Sequence, residues 1–202
     1  MDSKTIEALS QQIAARLFIP LEASGRHVHV TKEQAMILFG HPLTPKRPLS
    51  QPGQFLSCER LTIRTDKGVF HNVAVLGPER RSAQVEVSLT DARALGIDAP
   101  LRQSGHVEHT PGITLEGPEG KVGLVQGVMA AQRHIHLSVE EAAHFGVRDQ
   151  QVVSLQTYTQ RPAILQDVVV RVSPDFRAAV HLDYDEANAC GLRSGDLGRI
   201  LP

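Results

Sequence analysis

Four segments of the chain share one pattern of apolar and polar positions. Each begins with a short apolar–polar alternation, continues through Ser, Thr or Asp, and ends in a brief stretch closed by Gly. The alternation predicts a β-strand, and the polar residue before the stretch predicts an N-capped helix of about two turns. The glycines that can supply a left-handed C-cap for these helices are Gly40, Gly96, Gly146 and Gly191.

Two of the predicted helices begin with a capping box. Thr31 stands three residues before Gln34, and Ser138 stands three residues before Glu141. At this spacing the cap hydroxyl and the later side chain each accept a backbone N–H at the start of a helix. We therefore place the helix starts at Thr31 and Ser138.

The four segments form two matched pairs, which indicates an internal duplication. Residues 26–31, Arg-His-Val-His-Val-Thr, return at 133–138 as Arg-His-Ile-His-Leu-Ser. Residues 85–96 align without a gap on residues 180–191. Two families of matches in the same order at similar offsets predict a repeated unit of about half the chain.

The predicted fold class is mainly β with short α-helices. The helices are too short and the strands too numerous for a doubly wound sheet, so two small β-barrels or curled sheets plugged by short helices fit better. We expect a first β-barrel domain at 25–132 and a second at 133–202, joined by the N-terminal helix segment 4–24. Further predicted strands are 61–64, 69–76, 122–128, 151–156 and 168–172.

Residues 4–18 have apolar positions at helical spacing and predict an amphipathic helix. The helix packs against the body or serves as a targeting or docking element. Residues 42–52 and 110–120 are rich in Pro and Gly and predict ordered active-site or connecting loops. The apolar positions of the N-terminal helix are Ile6, Leu9, Ile13, Leu17 and Phe18.

Composition and charge exclude several classes of protein. Hydrophobic residues make up 41% of the 202 residues, enough for a core, and the formal charge of -1 gives no basic field for nucleic acid. The chain lacks an apolar run of the ~20 residues that a membrane-spanning helix needs, and its N-terminus lacks the layout of a signal peptide. Cys58 and Cys190 predict reduced, buried thiols of an intracellular protein.

Ten histidines are the unusual feature of the composition. In a strand, residues i and i+2 share a face, so His27 and His29 point the same way, as do His134 and His136. Two imidazoles on one face can each offer a ring nitrogen to one zinc ion. A single His-x-His is weak evidence for a metal site, and its duplication strengthens the hypothesis.

Glu86 and its counterpart His181 are candidates for a third ligand in each half. Each projects from an otherwise apolar strand, and glutamate and histidine both bind zinc. Three protein ligands with an open position are typical of a catalytic zinc site. In the alternative, Glu86 and His181 are helix-entry residues near a favourable dipole end.

Three arginines and one serine lie close to these motifs. For Arg26 and Arg133, which precede the His pairs, we favour a structural ion pair or carbonyl anchor. Arg80 either holds an oxyanion beside a metal or is a solvated turn residue, and Ser104 either presents a hydroxyl to an anion or lies in a plain turn. The remaining histidines, which we expect to be structural or on the surface, are His41, His71, His106, His109 and His144.

Several motifs together resemble a known family. The motifs occur in the family's order along essentially the whole chain after about residue 10, so the similarity is specific. They closely resemble the PduL-type phosphate propanoyltransferases, which are phosphotransacylases. The segments that carry the resemblance are 23–29, 49–55, 76–78, 84–86 and 133–138.

The resemblance implies two zinc ions in a cleft between two β-barrel domains. It assigns His27, His29 and Glu86 to one ion and His134, His136 and His181 to the other. Arg80 matches an arginine that binds phosphate, and Ser104 matches a serine near the same pocket. The residues that the resemblance places along coenzyme A are Ser24, Arg47, Leu76, His181 and Asn188.

The chain departs from the family pattern at one position. Ala74 stands where a basic residue is expected, which puts one contact with a coenzyme A phosphate in doubt. Arg47 aligns with a position that is usually basic, although Lys46 beside it leaves the register open.

The implied reaction is acyl-CoA + phosphate ⇌ acyl phosphate + CoA, with propanoyl-CoA or acetyl-CoA as the acyl donor. Without a paired nucleophile and base in the motifs, we expect direct attack by phosphate. The rival hypotheses are a dizinc hydrolase, which would not need phosphate, and a non-catalytic microcompartment-associated binding module.

The expected partners are acyl-CoA and phosphate, microcompartment shell or lumen proteins and a further copy of the chain in a homo-oligomer. Neither nucleic acid nor a membrane is expected. The expected location is cytoplasmic, in the lumen of a bacterial microcompartment.

Overall fold

The computed structural model describes residues 2, 5–7, 13 and 16–201. These residues divide into two compact units. The sheet unit contains residues 24–132 together with 183–185. The barrel unit contains the described residues up to 23, together with 133–182 and 186–201.

The sheet unit carries an open sheet of nine strands. The strands are β2 (His27–His29), β3 (Pro45–Pro48), β4 (Phe55–Arg64), β5 (Val69–Gly77), β6 (Gln84–Val87), β7 (Leu101–Arg102), β8 (Ile113–Glu116), β9 (Lys121–Leu124) and β10 (Val128–Ala131). Their order is β7-β10-β6-β2-β5-β4-β8-β9, and β3 pairs with β4. Strand β2 is therefore central, parallel to β5 and antiparallel to β6.

Two helices, α1 (Lys32–Phe39) and α2 (Leu89–Leu95), close the core of the sheet unit. Helix α1 follows strand β2 and helix α2 follows strand β6, and each helix buries one face. The shared core is mostly aliphatic, with Val28, Leu38, Ile63 and Leu95 at 0% exposure. Burial of this apolar surface anchors β2 and β6, whose opposite faces carry the polar residues described below.

The barrel unit is a closed six-stranded barrel. Its strands are β1 (Ile19–Ser24), β11 (His134–Leu137), β12 (Val152–Tyr158), β13 (Ile164–Val172), β14 (Ala179–Asp183) and β15 (Leu197–Leu201), in the order β1-β14-β11-β13-β12-β15. Strand β11 pairs antiparallel with β14 and parallel with β13. Helices α3 (Val139–Phe145) and α4 (Tyr184–Cys190) follow β11 and β14.

The prediction of a mainly β chain with short helices is confirmed. One predicted barrel is closed, whereas the other is an open, curled sheet that ends at β7 and β9. The duplication remains a prediction. No described helix has the length and apolar character required to cross a membrane.

The predicted helix ends are also confirmed. Thr31 and Ser138 form capping boxes, and so does Ser88 at the start of α2. All four C-cap glycines have positive φ, between 64° and 77°. These local signals succeed because each satisfies backbone groups that the helix itself leaves free.

Three segment predictions need correction. The predicted strand 122–128 is two strands, β9 and β10, because Gly127 between them has a φ of 134°. The predicted loops 42–52 and 110–120 contain strands β3 and β8. Pairing with the long strand β4 supplies the hydrogen bonds that their Pro- and Gly-rich sequences gave no reason to expect.

Two further expectations concern side-chain burial. Among the apolar positions of segment 4–18, Ile6, Ile13 and Leu17 are about half exposed, and Leu9 lies outside the described residues. Phe18 packs edge-on against the ring of Tyr158 at 5.1 Å. Cys190 is buried as expected, but Cys58 is exposed.

Candidate functional site

The sheet unit brings His27, His29 and Glu86 together through the register of two central strands. In the antiparallel pair β2–β6, His27 lies opposite Glu86, and His29 lies opposite Gln84. Val28 and Val85 form the pair between them and point into the core at 0% exposure. Since side chains alternate between faces, the polar residues share the other face.

The two histidines of this cluster are oriented by backbone carbonyls. His27 Nδ1 lies 2.9 Å from the carbonyl oxygen of Gly25, and His29 Nδ1 lies 3.1 Å from that of Leu76. A carbonyl only accepts, so each Nδ1 carries the proton and donates it. In the neutral form of each ring, Nε2 then has a free lone pair, and this Nδ1–H tautomer is the one found in a metal ligand with an oriented ring.

Burial and charge set the protonation of the cluster. Burial lowers the pKa of His27, but the neighbouring Glu86 carboxylate outweighs it and leaves that pKa above its ordinary value. The pKa of His29 lies well below its ordinary value because of burial, followed by the positive charges of His27 and Arg80. His29 is therefore a neutral imidazole, the form that binds a metal ion.

The barrel unit builds a second cluster from the same strand arrangement. His134 lies opposite His181 in the antiparallel pair β11–β14, and His136 lies opposite Ala179. The ring centroids of the three histidines are 4.6 to 5.1 Å apart. Among the described residues, His181 Nε2 is buried without a hydrogen bond, and a Glu22 carboxylate oxygen lies 3.4 Å from it.

Both clusters fit a divalent metal ion. In each cluster the three ligand atoms lie within 4.8 Å of one another. Ligands around a tetrahedral zinc are roughly 3.4 Å apart, so small side-chain rotations bring these atoms onto one ion. The imidazole and carboxylate donors are of the types that zinc binds, and each set of three leaves a coordination position open.

The arginines that precede the His pairs form structural ion pairs, as we expected. The Arg26 guanidinium donates two hydrogen bonds to Asp91, at 2.5 and 3.0 Å, and lies 4.0 Å above the ring of Phe70. Arg133 Nε lies 3.0 Å from a carboxylate oxygen of Glu186. Each pair ties the residue before a His pair to the helix that follows the partner strand.

A polar network adjoins the first cluster. Ser104 Oγ accepts hydrogen bonds from Arg80 Nη1 at 3.1 Å and from Gln84 Nε2 at 2.8 Å. Because these two bonds occupy both lone pairs of Ser104 Oγ, the hydroxyl has no further capacity to accept, and only its O–H is available, as a donor. The network thus presents a cation and an O–H donor beside Glu86, a combination suited to an anion.

The remaining predicted site residues lie in both units. Ser24, Arg47 and Leu76 belong to the sheet unit, where Arg47 is exposed on β3. His181 and Asn188 belong to the barrel unit, where Asn188 is exposed on α4.

The sequence matches the family model described as phosphate propanoyltransferase over residues 20–193. The chain belongs to the phosphate propanoyltransferase family. The phosphate propanoyltransferase of Enterococcus faecalis is 51% identical over 183 residues, which cover 90% of this chain and 87% of the relative. The phosphate propanoyltransferase of Listeria monocytogenes is 45% identical over 207 residues, which cover 100% of this chain and 97% of the relative. The phosphate propanoyltransferase of Thermotoga maritima is 46% identical over 181 residues, which cover 88% of this chain and 86% of the relative. The resemblance indicated by the motifs is thus confirmed.

Two residues beside the clusters, Gln84 and Glu22, were not predicted as site residues from the sequence. Gln84 precedes Glu86 by two residues on β6, so the two side chains share a face of the strand. This spacing could have identified Gln84 as a neighbour of the cluster. Glu22 lies on β1, distant in sequence from His181, and only the closure of the barrel brings it near that histidine.

Proposed function

We propose that the chain catalyses acyl-CoA + phosphate ⇌ acyl phosphate + CoA, with short-chain donors such as propanoyl-CoA and acetyl-CoA. The observation that carries the proposal is the pair of three-ligand clusters, built on equivalent strand pairs in a member of the phosphate propanoyltransferase family. The polar network beside the first cluster supports an anionic substrate.

The proposal assigns one zinc ion to each cluster. His27, His29 and Glu86 would hold the first ion, and the second would be held by His134, His136 and His181. Zinc bound there would supply a Lewis acid for the thioester carbonyl and for the departing thiolate. The Nδ1–H bonds of His27 and His29 to backbone carbonyls support this role, because they hold the rings with Nε2 available.

Arg80 and Ser104 bind phosphate in this proposal. The guanidinium offsets the negative charge that phosphate carries toward a polyanionic nucleotide, and the Ser104 hydroxyl donates to a phosphate oxygen. Arg80 also donates to Ser104, so the two groups are held as one unit before substrate arrives. Preorganised donors of this kind lower the barrier because they need no rearrangement during the reaction.

The acyl group passes directly to phosphate. A phosphate oxygen forms a bond to the thioester carbonyl carbon, the C–S bond breaks, and CoA leaves as the thiolate. Of the two cysteines, Cys190 is buried in the barrel core with burial raising its pKa, and Cys58 lies outside both clusters. Covalent acyl-protein trapped during turnover and detected by mass spectrometry would contradict direct attack.

Five residues are assigned to coenzyme A. Arg47, exposed on β3, supplies a cation for a nucleotide phosphate. With Ala74 where a basic residue is expected, Arg47 carries more of this charge recognition. The full proposed set is Ser24, Arg47, Leu76, His181 and Asn188.

The proposed function is tested by thiol release from propanoyl-CoA with and without phosphate, combined with metal analysis of the same sample. We expect release that depends on phosphate, accumulation of propanoyl phosphate, and two zinc ions per chain. Release that is independent of phosphate would instead indicate a thioester hydrolase. A sample with neither metal nor turnover would indicate a binding module.

The same proposal places the protein in the lumen of a bacterial microcompartment. The exposed apolar side chains of Ile6, Ile13 and Leu17 support a docking role for segment 4–18. Deletion of residues 1–18 should abolish co-purification with the compartment and leave phosphate-dependent turnover intact. Continued encapsulation of the deleted form would contradict the docking role.

A further inference from the structure

The side chain of Gln84 is buried, and its amide is hydrogen bonded at both ends. One Nε2–H donates to Glu86 Oε1, and the other donates to Ser104 Oγ at 2.8 Å. The amide oxygen accepts the backbone N–H of Gly105 at 2.7 Å. A primary amide has two donor hydrogens and one acceptor oxygen, so this single side chain uses both kinds of group.

The bond to Glu86 divides the roles of its two carboxylate oxygens. Oε1 receives the Gln84 amide, whereas Oε2 lies 3.6 Å from His27 Nε2 and faces the ligand cluster. The amide therefore fixes the rotation of the carboxylate with Oε2 on the side of His27. Hydrogen bonds of this kind orient ligands and strengthen metal binding.

The other two bonds of Gln84 hold the turn that carries Ser104. The side chain reaches the Ser104 hydroxyl and the next backbone N–H, so the turn is tied to β6 at two consecutive residues. Ser104 in turn accepts from Arg80. The position of the anion-binding pair therefore depends on the same amide that orients Glu86.

The barrel unit shows that the strand framework itself does not require this amide. Ala179 lies opposite His136 in β11–β14, just as Gln84 lies opposite His29 in β2–β6. Alanine at this position leaves the second cluster assembled. The buried amide in the sheet unit thus serves the network around it rather than the pairing of the strands.

We infer that Gln84 is a positioning residue that couples the Glu86 ligand of the first metal site to the phosphate-binding pair Arg80 and Ser104. The inference rests on the proposed function for the metal and for phosphate. It predicts that loss of the amide weakens two properties together, namely zinc affinity at the Glu86 site and recognition of phosphate.

Two variants and one control test the inference. Gln84→Met keeps the length of the side chain and removes its hydrogen bonds, and Gln84→Ala copies the residue at the equivalent position of the barrel unit. Thr110→Val is the control, because Thr110 is a buried residue of the same unit whose hydroxyl bonds only Val107 and Gly127 among the described residues. It controls for the general loss of a buried polar link.

Zinc affinity is measured first, by competition with a chromophoric chelator on the full chain. A His181→Ala background leaves the Glu86 site as the remaining three-ligand cluster. We expect Gln84→Met and Gln84→Ala to weaken zinc binding there by about 10- to 100-fold, the usual effect of removing an orienting partner. Thr110→Val should stay within about twofold of the background. Unchanged affinity in both Gln84 variants would overturn the inference.

Kinetics of the chain with His181 intact give the second readout. At saturating zinc, we expect the KM for phosphate to rise at least about fivefold in both Gln84 variants, with the KM for propanoyl-CoA within about twofold. A rise in the KM for propanoyl-CoA alone would overturn the coupling to phosphate. Should the unaltered chain show no phosphate-dependent turnover, the proposed function fails, and the zinc competition still decides whether Gln84 orients Glu86.

Discussion

Glu86 and His181 occupy the same position in two different strand pairs. Each lies directly opposite the first histidine of a His-x-His segment, Glu86 across from His27 and His181 across from His134. A carboxylate thus stands in one cluster where an imidazole stands in the other. The shared position is what the proposed ligand role requires, since carboxylate and imidazole both bind zinc.

Removal of either third ligand should cost one metal ion and the activity. We expect Glu86→Ala and His181→Ala each to lower the zinc content from two ions to one per chain, and to reduce kcat by about 10²-fold or more. His134→Ala should do the same at the second cluster. Elemental analysis on the purified variants checks the stoichiometry, alongside the phosphate-dependent assay.

The exchange variant Glu86→His is the matched control for this prediction. Because His181 lies at the equivalent position of the other strand pair, an imidazole at position 86 should keep the first ion bound, and so both ions, even where turnover falls. Two ions bound by Glu86→Ala would contradict the ligand assignment.

The two Arg–carboxylate pairs should differ in their contribution to stability. The side chain of Asp91 is 9% exposed and also accepts the N–H of Ser88 in a capping box, whereas the side chain of Glu186 is 20% exposed. We expect Asp91→Ala to lower the free energy of unfolding by about 2 kcal/mol, because a half-buried Arg26 loses its partner.

Glu186→Ala, the matched variant, should cost about 1 kcal/mol or less, since its pair with Arg133 is better solvated. Hydrogen exchange can assign each loss, on α2 for Asp91→Ala and on α4 for Glu186→Ala. A larger effect at Glu186 would contradict the role of burial.

The clusters could be anticipated from sequence because they depend on strand periodicity alone. His27 and His29 must share a face once residues 27–29 form a strand, and the match of 85–96 with 180–191 places Glu86 and His181 equivalently. The helix caps at Thr31 and Ser138 are equally local. The sequence therefore contains the residues of both clusters and the start of each capped helix.

The features that sequence missed depend on contacts between distant segments. Strand β3 forms because Pro45–Pro48 pairs with β4, and no local alternation marks it. Closure of one sheet and opening of the other depend on which edge strands meet, for example β1 with β15. The network of Gln84 with Ser104 likewise joins residues 20 positions apart.

Glu59 should make stability depend on pH in the acidic range. Burial raises its pKa, but the backbone N–H groups of Glu59 itself and of Thr44 outweigh this, so the pKa lies below its ordinary value. A carboxylate with a lowered folded-state pKa stabilises the fold above its unfolded pKa, and this stability is lost as the pH falls through the folded value.

We expect Glu59→Gln to reduce the loss of stability between about pH 5 and pH 3, the range below the ordinary pKa of a glutamate. Urea denaturation at a series of pH values measures this slope. Glu119→Gln is the control, because Glu119 is exposed and lies between β8 and β9 rather than on β4 with Glu59; it should leave the slope unchanged. Equal slopes for Glu59→Gln and the unaltered chain would contradict the prediction.

Removal of metal should destabilise the protein reversibly. Both clusters bring three ligand side chains together, with His27 and His29 buried in one and His134 and His136 in the other. An ion present at 100 times its dissociation constant stabilises the folded state by about 2.7 kcal/mol. For a chain of this size that corresponds to roughly 5–10 °C in Tm.

Because chelation removes both ions, we expect it to lower Tm by about this amount for each ion and to abolish turnover, with both restored by added zinc. Glu86→Ala and His181→Ala should each show a smaller response to chelation than the unaltered chain, because each retains one ligand cluster. A Tm unaffected by chelation, in a sample shown to have lost its metal, would contradict the assignment of these buried side chains as ligands.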